Sequence, residues 1–432
     1  MIRKIGIGLA GFGTVGAGVY KNLLRNGSLL EQRLGVKFDV RRIAVRDLQK
    51  VRDVDAPAEL FTTSPDDLLL DSSIDVVVEL MGGIDIPLAF VKKAIHAGKI
   101  VVTGNKALLA EHGREIFELA HEKRVPVFYE AAVAGGIPII KSVREAFVGN
   151  RFEAIHGILN GTSNYILTRM TEEGADFAPV LADAQKLGYA EADPALDVNG
   201  WDAAHKAIIL ASLAYGFWIN PADVLVEGIE KVTAADIRFA NELNYRIKLL
   251  ASIKADEAGE IEVRVVPTLI PKSHVLASVN GVFNAVAVRG DVVGDALFYG
   301  RGAGQDPTSS SVLADLADAA AFLESPRACT GFTSHDLYGR CKAIDQTISK
   351  YYLRLGVEDR PGVLAQIAGT LAKADIGILS VIQPEGLVDG AVPLILTLHD
   401  APYGPMKKTA DALASLPCVK GTPLLLHMES FS

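Results

Sequence analysis

The sequence predicts an α/β protein: a Rossmann-type doubly wound parallel sheet, then an α+β domain, then a small ferredoxin-like βαββαβ unit. Three observations predict it. Apolar strand-like runs alternate with helical patterns over residues 2–133. The stretch "GFGTVG" joins the first strand to the first helix. Residues 350–432 read strand, helix, strand, strand, helix, strand.

Taken in order, "IRKIGIGLA" (2–10) is a short apolar run ending in "GFGTVG", and "VGAGVYKNLL" continues with helical spacing. "VKFDVRRIAV" (36–45) is the second strand. "IDVVVELM" (74–81) and "KIVVTGN" (99–105) are unbroken apolar runs, as parallel strands covered on both faces require. Between them, "PLAFVKKAIHAG" places Pro at a helix entrance and Gly at its exit. "NKALLAEHGREIFELAHEKR" predicts a helix and "VPVFYEAAV" a strand.

The pattern then changes to a strand at 152–159, helices near 162–173, 177–187 and 201–215, and strand runs "GEIEVRVVPTLI" and "NAVAVRG". "GRGAGQDPTSSSVLADLADAAAFL" (300–323) is a glycine loop leading into a helix. The expected domains are 1–135, with 306–323 returning to it, then 136–305, a connector at 324–349, and 350–432.

Composition bounds the function. The chain has 432 residues, is 49% hydrophobic and 22% charged, and carries a net charge of −9 without a basic run. That balance argues against nucleic acid or an anionic membrane as partner. No stretch approaches the ~20 apolar residues of a membrane span. Cys329, Cys341 and Cys418 lack metal-ligand spacing and read as reduced thiols, so a soluble cytoplasmic protein is expected.

Gly11, Gly13 and Gly16 form G-x-G-x-x-G after a strand and at the opening of a helix, the context a dinucleotide site requires. Gly11 permits the tight turn, Gly13 lets the backbone approach a pyrophosphate, and Gly16 allows close helix packing. After the second strand stand Arg46, Asp47 and Lys50. Arg46 and Lys50 favour the 2′-phosphate of NADP, while Asp47 could accept the ribose hydroxyl of NAD.

The stretch "GYAEADPALDVNGWDAAHKAIILAS" (188–212) gathers Glu191, Asp193, Asp197 and Asp202 ahead of Lys206 and an apolar helix. A calcium loop fails: with Gly200 as sixth position, the first is Ala195 and the twelfth Lys206. A helix from Trp201, capped by Asn199 or Gly200, sets Asp202 and Lys206 one turn apart on one face. A lysine at the start of a buried helix is costly unless carboxylates compensate it. The pattern fits a polar site or a structural ion pair. Reducing a carbonyl requires a proton donor beside the oxygen, a role lysine can take. Lys106 follows a parallel strand's carboxyl end, where open α/β sheets bind ligands. No cysteine precedes Cys329, which excludes a thiohemiacetal route, and no G-x-S-x-G elbow supports a hydrolase.

With "GLAGFGTVG", "ELMGG", "VVTGNKALLA", "ILNGTSNYIL", "GYAEADPALDVNGWDAAHK" and "GRGAGQDPTSSSV" in order, the chain resembles the homoserine dehydrogenases that end in an ACT domain. The resemblance implies interconversion of L-homoserine and L-aspartate 4-semialdehyde with NAD(P), on the route to threonine, methionine and isoleucine. It implies Lys206 as proton donor and acceptor, Lys106 as a second lysine touching cofactor and substrate, and Glu191 and Asp202 as homoserine-binding acids. Asp197 would support the lysine, and Thr162 and Tyr189 would line the substrate pocket. Beyond the loop of Gly11, Phe12, Gly13, Thr14, Val15 and Gly16, it implies cofactor contacts at Gly188 and Gly304.

The resemblance also implies a monovalent cation, sodium, held mainly by backbone oxygens of Glu130, Val133, Gly135 and Ile137. At "GAGQDPTSSS" the chain departs from the small residues expected before the proline, with Gln305 and Asp306. "DRPGVLAQIAGTLAKADIGI" resembles an ACT domain, implying a homodimer or homotetramer and threonine as effector, or a purely structural dimerisation module. Rival readings are another ACT-bearing dehydrogenase and a non-catalytic amino-acid sensor. The first lacks a His–Glu pair here, and the lysines and acids argue against the second.

Overall fold

The computed structural model describes residues 2–190, 193–325, 331–384, 386 and 390–431. The chain opens with β1 (Arg3–Ala10), α1 (Thr14–Leu34), β2 (Val36–Ala44), β3 (Phe61–Thr62), α2 (Asp66–Leu70), β4 (Val76–Glu79) and α3 (Asp85–His96). Then come β5 (Ile100–Thr103), α4 (Lys106–Lys123), β6 (Val127–Phe128), α5 (Ile139–Lys141), β7 (Phe152–Ile158), α6 (Gly161–Glu173) and α7 (Phe177–Lys186). Next are α8 (Ala195–Val198), α9 (Trp201–Tyr215), β8 (Leu225–Val226), α10 (Ala234–Glu242), β9 (Tyr245–Ala255) and β10 (Glu260–Pro271). They are followed by β11 (Phe283–Gly290), β12 (Gly294–Arg301), α11 (Gln305–Glu324) and β13 (Arg340–Cys341). The chain closes with β14 (Ile348–Val357), α12 (Val363–Lys373), β15 (Ile378–Ile382), β16 (Val392–Pro402), α13 (Tyr403–Ala414) and β17 (Val419–Met428).

Two compact units form, one from residues 1–154, 205–221 and 284–339, the other from 155–204, 222–283 and 340–432. The first holds a six-stranded sheet in the order β3-β2-β1-β4-β5-β6, all pairs parallel. Strand order reverses between β1 and β4, which opens a crevice at their carboxyl ends. Ile5, Ile7, Leu9, Val76 and Val78 fill the core, and α11 enters the same core through Val312, Leu316 and Ala319. One expectation needs correcting. "VPVFYEAAV" pairs as a strand only at Val127–Phe128, and Glu130–Ala132 turn into a 3-10 helix. The Glu130 amide donates to the buried Asp315 carboxylate of α11 at 2.9 Å, so it no longer points along the sheet.

In the second unit β9 and β10 form a long antiparallel pair, from Ile261↔Ala255 to Pro271↔Tyr245. β17 adds to β10 in parallel (Thr268↔His427, Leu269↔Met428), and the sheet continues β14-β16-β15. The C-terminal βαββαβ unit is therefore built onto the edge of β10. Its helix α12 buries Val363, Ile367 and Leu371 in a core that also takes Leu225 and Val266. A capping box of Thr233 and Asp236 starts α10, and the same Asp236 carboxylate accepts from Tyr352 and Arg354 of β14. Among the described residues no helix is long and apolar enough to cross a membrane.

Candidate active site

The glycine loop has the conformation its residue types anticipate. Gly11 sits at φ +109°, and a Cβ there would lie 2.5 Å from the Leu80 carbonyl oxygen. A Cβ on Gly16 would lie 2.2 Å from the Gly11 oxygen. Both positions therefore demand glycine on steric grounds. Around Gly13 the space is open, so its backbone faces outward from the start of α1. Phe12 turns the other way, its ring edge-on to Tyr20 and Phe61 in the core, and Val15 packs there too. Thr14 begins α1.

A cleft of about 570 Å³ runs from Gly11 and Gly13 to Arg46, Asp47, Lys50 and Arg52. Asp47 Oδ1 accepts from the Gln49 amide at 2.8 Å, while Arg52 donates to the Lys50 carbonyl at 2.6 Å. The tight turn, the open backbone and the cationic far end together fit a dinucleotide.

At the β4 and β5 carboxyl ends, the fully buried Glu79 carboxylate accepts from Thr103 Oγ1 at 2.6 Å and from the Met81 amide at 2.8 Å. Burial pushes the Glu79 carboxyl up, against these donors. Asn105 caps α4 by accepting from Leu108 N at 3.1 Å and donates to the Gly83 carbonyl at 2.8 Å. Lys106, the first residue of α4, is thereby carried to the sheet's carboxyl edge, half-buried. Glu79 and Asn105 were not among the expected site residues. Glu79's signal was there, a lone carboxylate closing an apolar strand.

Gly304 (φ +125°) stands ahead of α11, and its oxygen accepts from Thr308 N at 3.1 Å. Gln305 and Asp306 turn to α1: Gln305 backs onto Gly18, and Asp306 accepts from Asn22 at 3.2 Å. The bulkier pair thus serves helix packing. In the Glu130–Ile137 stretch, Ala134 (φ +53°) and Gly135 (φ +32°) break the extended path. Ser311 Oγ donates to the Gly135 carbonyl. The Glu130 carboxylate accepts from Ile140 N at 2.9 Å and Lys141 N at 2.7 Å, and burial pushes its pKa up to about 7. Val133 and Ile137 are buried. Among the described residues no three His, Cys, Asp or Glu side chains gather as metal ligands.

In the second unit, Asn160 brings the acids together. Its Nδ2 donates to Asp197 Oδ1 at 2.7 Å and to Asp202 Oδ2 at 2.8 Å, and its Oδ1 caps α6 by accepting from Ser163 N. Thr162 Oγ1 donates to the Tyr189 carbonyl at 3.0 Å, next to Gly188 at φ +76°. The Tyr189 ring packs on Tyr165, 4.6 Å between centroids. Asn199 Oδ1 accepts from Trp201 N at 3.0 Å and Gly200 adopts φ +90°, which starts α9 as expected. Asp202 lies in the first turn of that helix, and Lys206, 8% exposed, follows one turn later in the stretch 205–221 that counts with the first unit. Glu191 lies outside the described residues.

Comparison with known proteins agrees with this geometry. Residues 11–130 match the family model "Homoserine dehydrogenase, NAD binding domain", 138–317 match "Homoserine dehydrogenase", and 351–384 match "ACT domain". A homoserine dehydrogenase of Neisseria gonorrhoeae is 44% identical over 437 residues, covering 99% of each chain. The chain belongs to the homoserine dehydrogenase family. One from Pseudomonas aeruginosa is 44% identical over the full length of both chains. The crystal structure of the Thiobacillus denitrificans enzyme superposes with a TM-score of 0.91 at 42% identity, covering 100% of this chain and 99% of that one. A hyperthermophilic archaeal homoserine dehydrogenase in complex with NADPH covers 75% of this chain and 99% of its own, at 27% identity and a TM-score of 0.64.

The enzyme is thus an oxidoreductase that interconverts L-homoserine and L-aspartate 4-semialdehyde with a nicotinamide cofactor. The rival readings, another ACT-bearing dehydrogenase or a sensor without activity, have no support in these matches.

Proposed function

We propose that Lys206 is the proton donor and acceptor of this reaction, with Lys106 as the second lysine at the cofactor and substrate. Glu191, Asp197 and Asp202 hold homoserine and the lysine, and Thr162 and Tyr189 line the pocket. The observation that carries this is the buried Lys206 one helical turn after Asp202, whose carboxylate is already gathered with that of Asp197. When bound, the nicotinamide supplies the hydride. In the reducing direction the aldehyde carbon takes that hydride, its π pair moves to oxygen, and oxygen takes a proton from the Lys206 ammonium. Homoserine's hydroxyl results. Lys206→Ala should lower kcat by about 10²–10⁴-fold, the usual share of a general acid, with cofactor affinity intact. Near-normal turnover sinks the assignment.

NADP is the preferred cofactor on this reading, with NAD also usable. Gly11 to Gly16 carry the pyrophosphate, Arg46 and Lys50 face the 2′-phosphate, and Gly188 and Gly304 add backbone contacts. In support, one oxygen of Asp47 is taken by its own turn. Sodium is held by oxygens of Glu130, Val133, Gly135 and Ile137. The irregular backbone at Ala134 and Gly135, which turns carbonyls out of strand pairing, supports it. The ACT unit takes threonine as effector, in a cytoplasmic homodimer or homotetramer. Titrating threonine into the intact enzyme, and activity against sodium concentration, test these two assignments.

A further inference from the structure

We infer that Asn160 is a positioning residue that sets the spacing of Asp197 and Asp202, an inference that rests on the assignment of those acids to the substrate. Asn160 is 4% exposed and precedes α6. A side-chain amide offers two N–H donors on one nitrogen and one carbonyl acceptor. Here all are used: the nitrogen serves Asp197 at 2.7 Å and Asp202 at 2.8 Å, and the oxygen accepts from Ser163 N at 2.7 Å. One side chain therefore ties together the starts of α6 and α9 and the short helix α8.

Chemistry limits what could stand there. Two carboxylates sharing one neighbour repel each other, and a carboxylate in its place would deepen that repulsion. A lysine would neutralise them and compete with the ammonium of an amino-acid substrate. A hydroxyl has one hydrogen and can donate to only one of the acids. A neutral double donor holds both without adding a charge of its own.

The positioner is itself anchored. Ser163 Oγ donates to the Asp197 carbonyl at 2.7 Å, which fixes the backbone of α8. Further along α6, Asn164 donates to the Gly281 carbonyl at 2.9 Å and accepts from the buried Lys248 at 3.1 Å, while Lys248 also donates to the Val279 carbonyl at 2.6 Å. The carboxylates assigned to homoserine and to the lysine are thus already in place, which lowers the ordering cost of binding.

Asn160→Asp is the deciding variant. It keeps the shape and an equally good helix cap, and when ionised it cannot donate. The expected result at pH 8 is a homoserine KM raised at least about tenfold, equivalent to losing a charge-assisted hydrogen bond, with the NADP KM near wild type and a lowered melting temperature that recovers towards pH 6. The ratio of N160D to wild-type kcat/KM should rise as the pH is lowered towards 6. The new carboxyl, its pKa raised by two like charges, then regains a hydrogen to donate. A mere helix cap predicts neither change. Asn160→Ser, with one donor left, should fall between, and covers the case in which N160D does not fold. A wild-type homoserine KM in N160D, or in N160S if that alone folds, overturns the inference if Asp202→Asn raises that KM. If Asp202→Asn and Asp197→Asn both leave it unchanged, the substrate assignment itself falls, and this inference with it.

Discussion

Glu429 and Arg264 form an ion pair at 3.1 Å with side chains only 5% and 2% exposed. Lys254 adds a second cation, 2.7 Å from the same carboxylate, and Glu262 pairs with Arg264. The network ties the residue just after β17 to β9 and β10. Removing one member of such a buried set strands the others without compensation, which typically costs about 3 kcal/mol or more.

The first prediction concerns acid stability. Burial pushes the Glu429 carboxyl up, but the charges of Lys254, His156 and Arg264 outweigh it and hold its pKa down to about 2. In the unfolded chain a glutamate titrates near ~4.3. The unfolded state therefore binds more protons between these values, so stability is full above about pH 5 and falls as pH drops towards 2. Glu429→Gln should lower the unfolding free energy at pH 7 and flatten that acid dependence. Urea denaturation at pH 7 and pH 3 checks it: equal losses at both would contradict the network.

A second prediction concerns the C-terminal unit. β17 pairs with β10, and its core takes Val266 and Leu225. A chain ending at residue 349 would leave that edge open and Arg264 buried without Glu429. It should not accumulate as a cooperatively folded protein, as circular dichroism and proteolysis would show. Threonine sensitivity is therefore properly tested on the intact chain.

The glycines separate a folding role from a binding role. Gly16→Ala drives a Cβ to 2.2 Å from the Gly11 oxygen and should lower the melting temperature. Gly13→Ala meets nothing within 4 Å and should fold normally. Its methyl would occupy the space a pyrophosphate needs, so NADP affinity should fall by about tenfold or more, a loss of ~1.4 kcal/mol. Calorimetry and cofactor titration distinguish the two.

Cofactor choice is the fourth prediction. Arg46 and Lys50 line the cleft's cationic end. Arg46→Ala with Lys50→Ala should weaken NADP by roughly 10–100-fold, the worth of one or two charge-assisted hydrogen bonds, and leave NAD almost unchanged. A parallel loss for both cofactors would remove these residues from 2′-phosphate recognition.

Much of this protein is local. Residues 74–81 and 99–105 announce buried strands because an unbroken apolar run suits a sheet covered on both faces. The glycine loop was legible because positive φ and close backbone contact demand glycine at fixed spacing. Asp202 and Lys206 were legible because one helical turn sets their separation. The relationships that complete the molecule are not local. Asp315 takes the Glu130 amide and ends β6 early, a contact 185 residues apart in sequence. Asn160 reaches Asp197 and Asp202 across 37 and 42 residues, and nothing in "ILNGTSNYIL" marks its amide as their common donor. Gln305 and Asp306 read as departures beside a cofactor and proved to be packing against α1. Periodicity and conformational preference act over a few residues and so determined the elements and the chemistry they carry. Which donor meets which acceptor depends on long-range packing, and only the tertiary structure decided it.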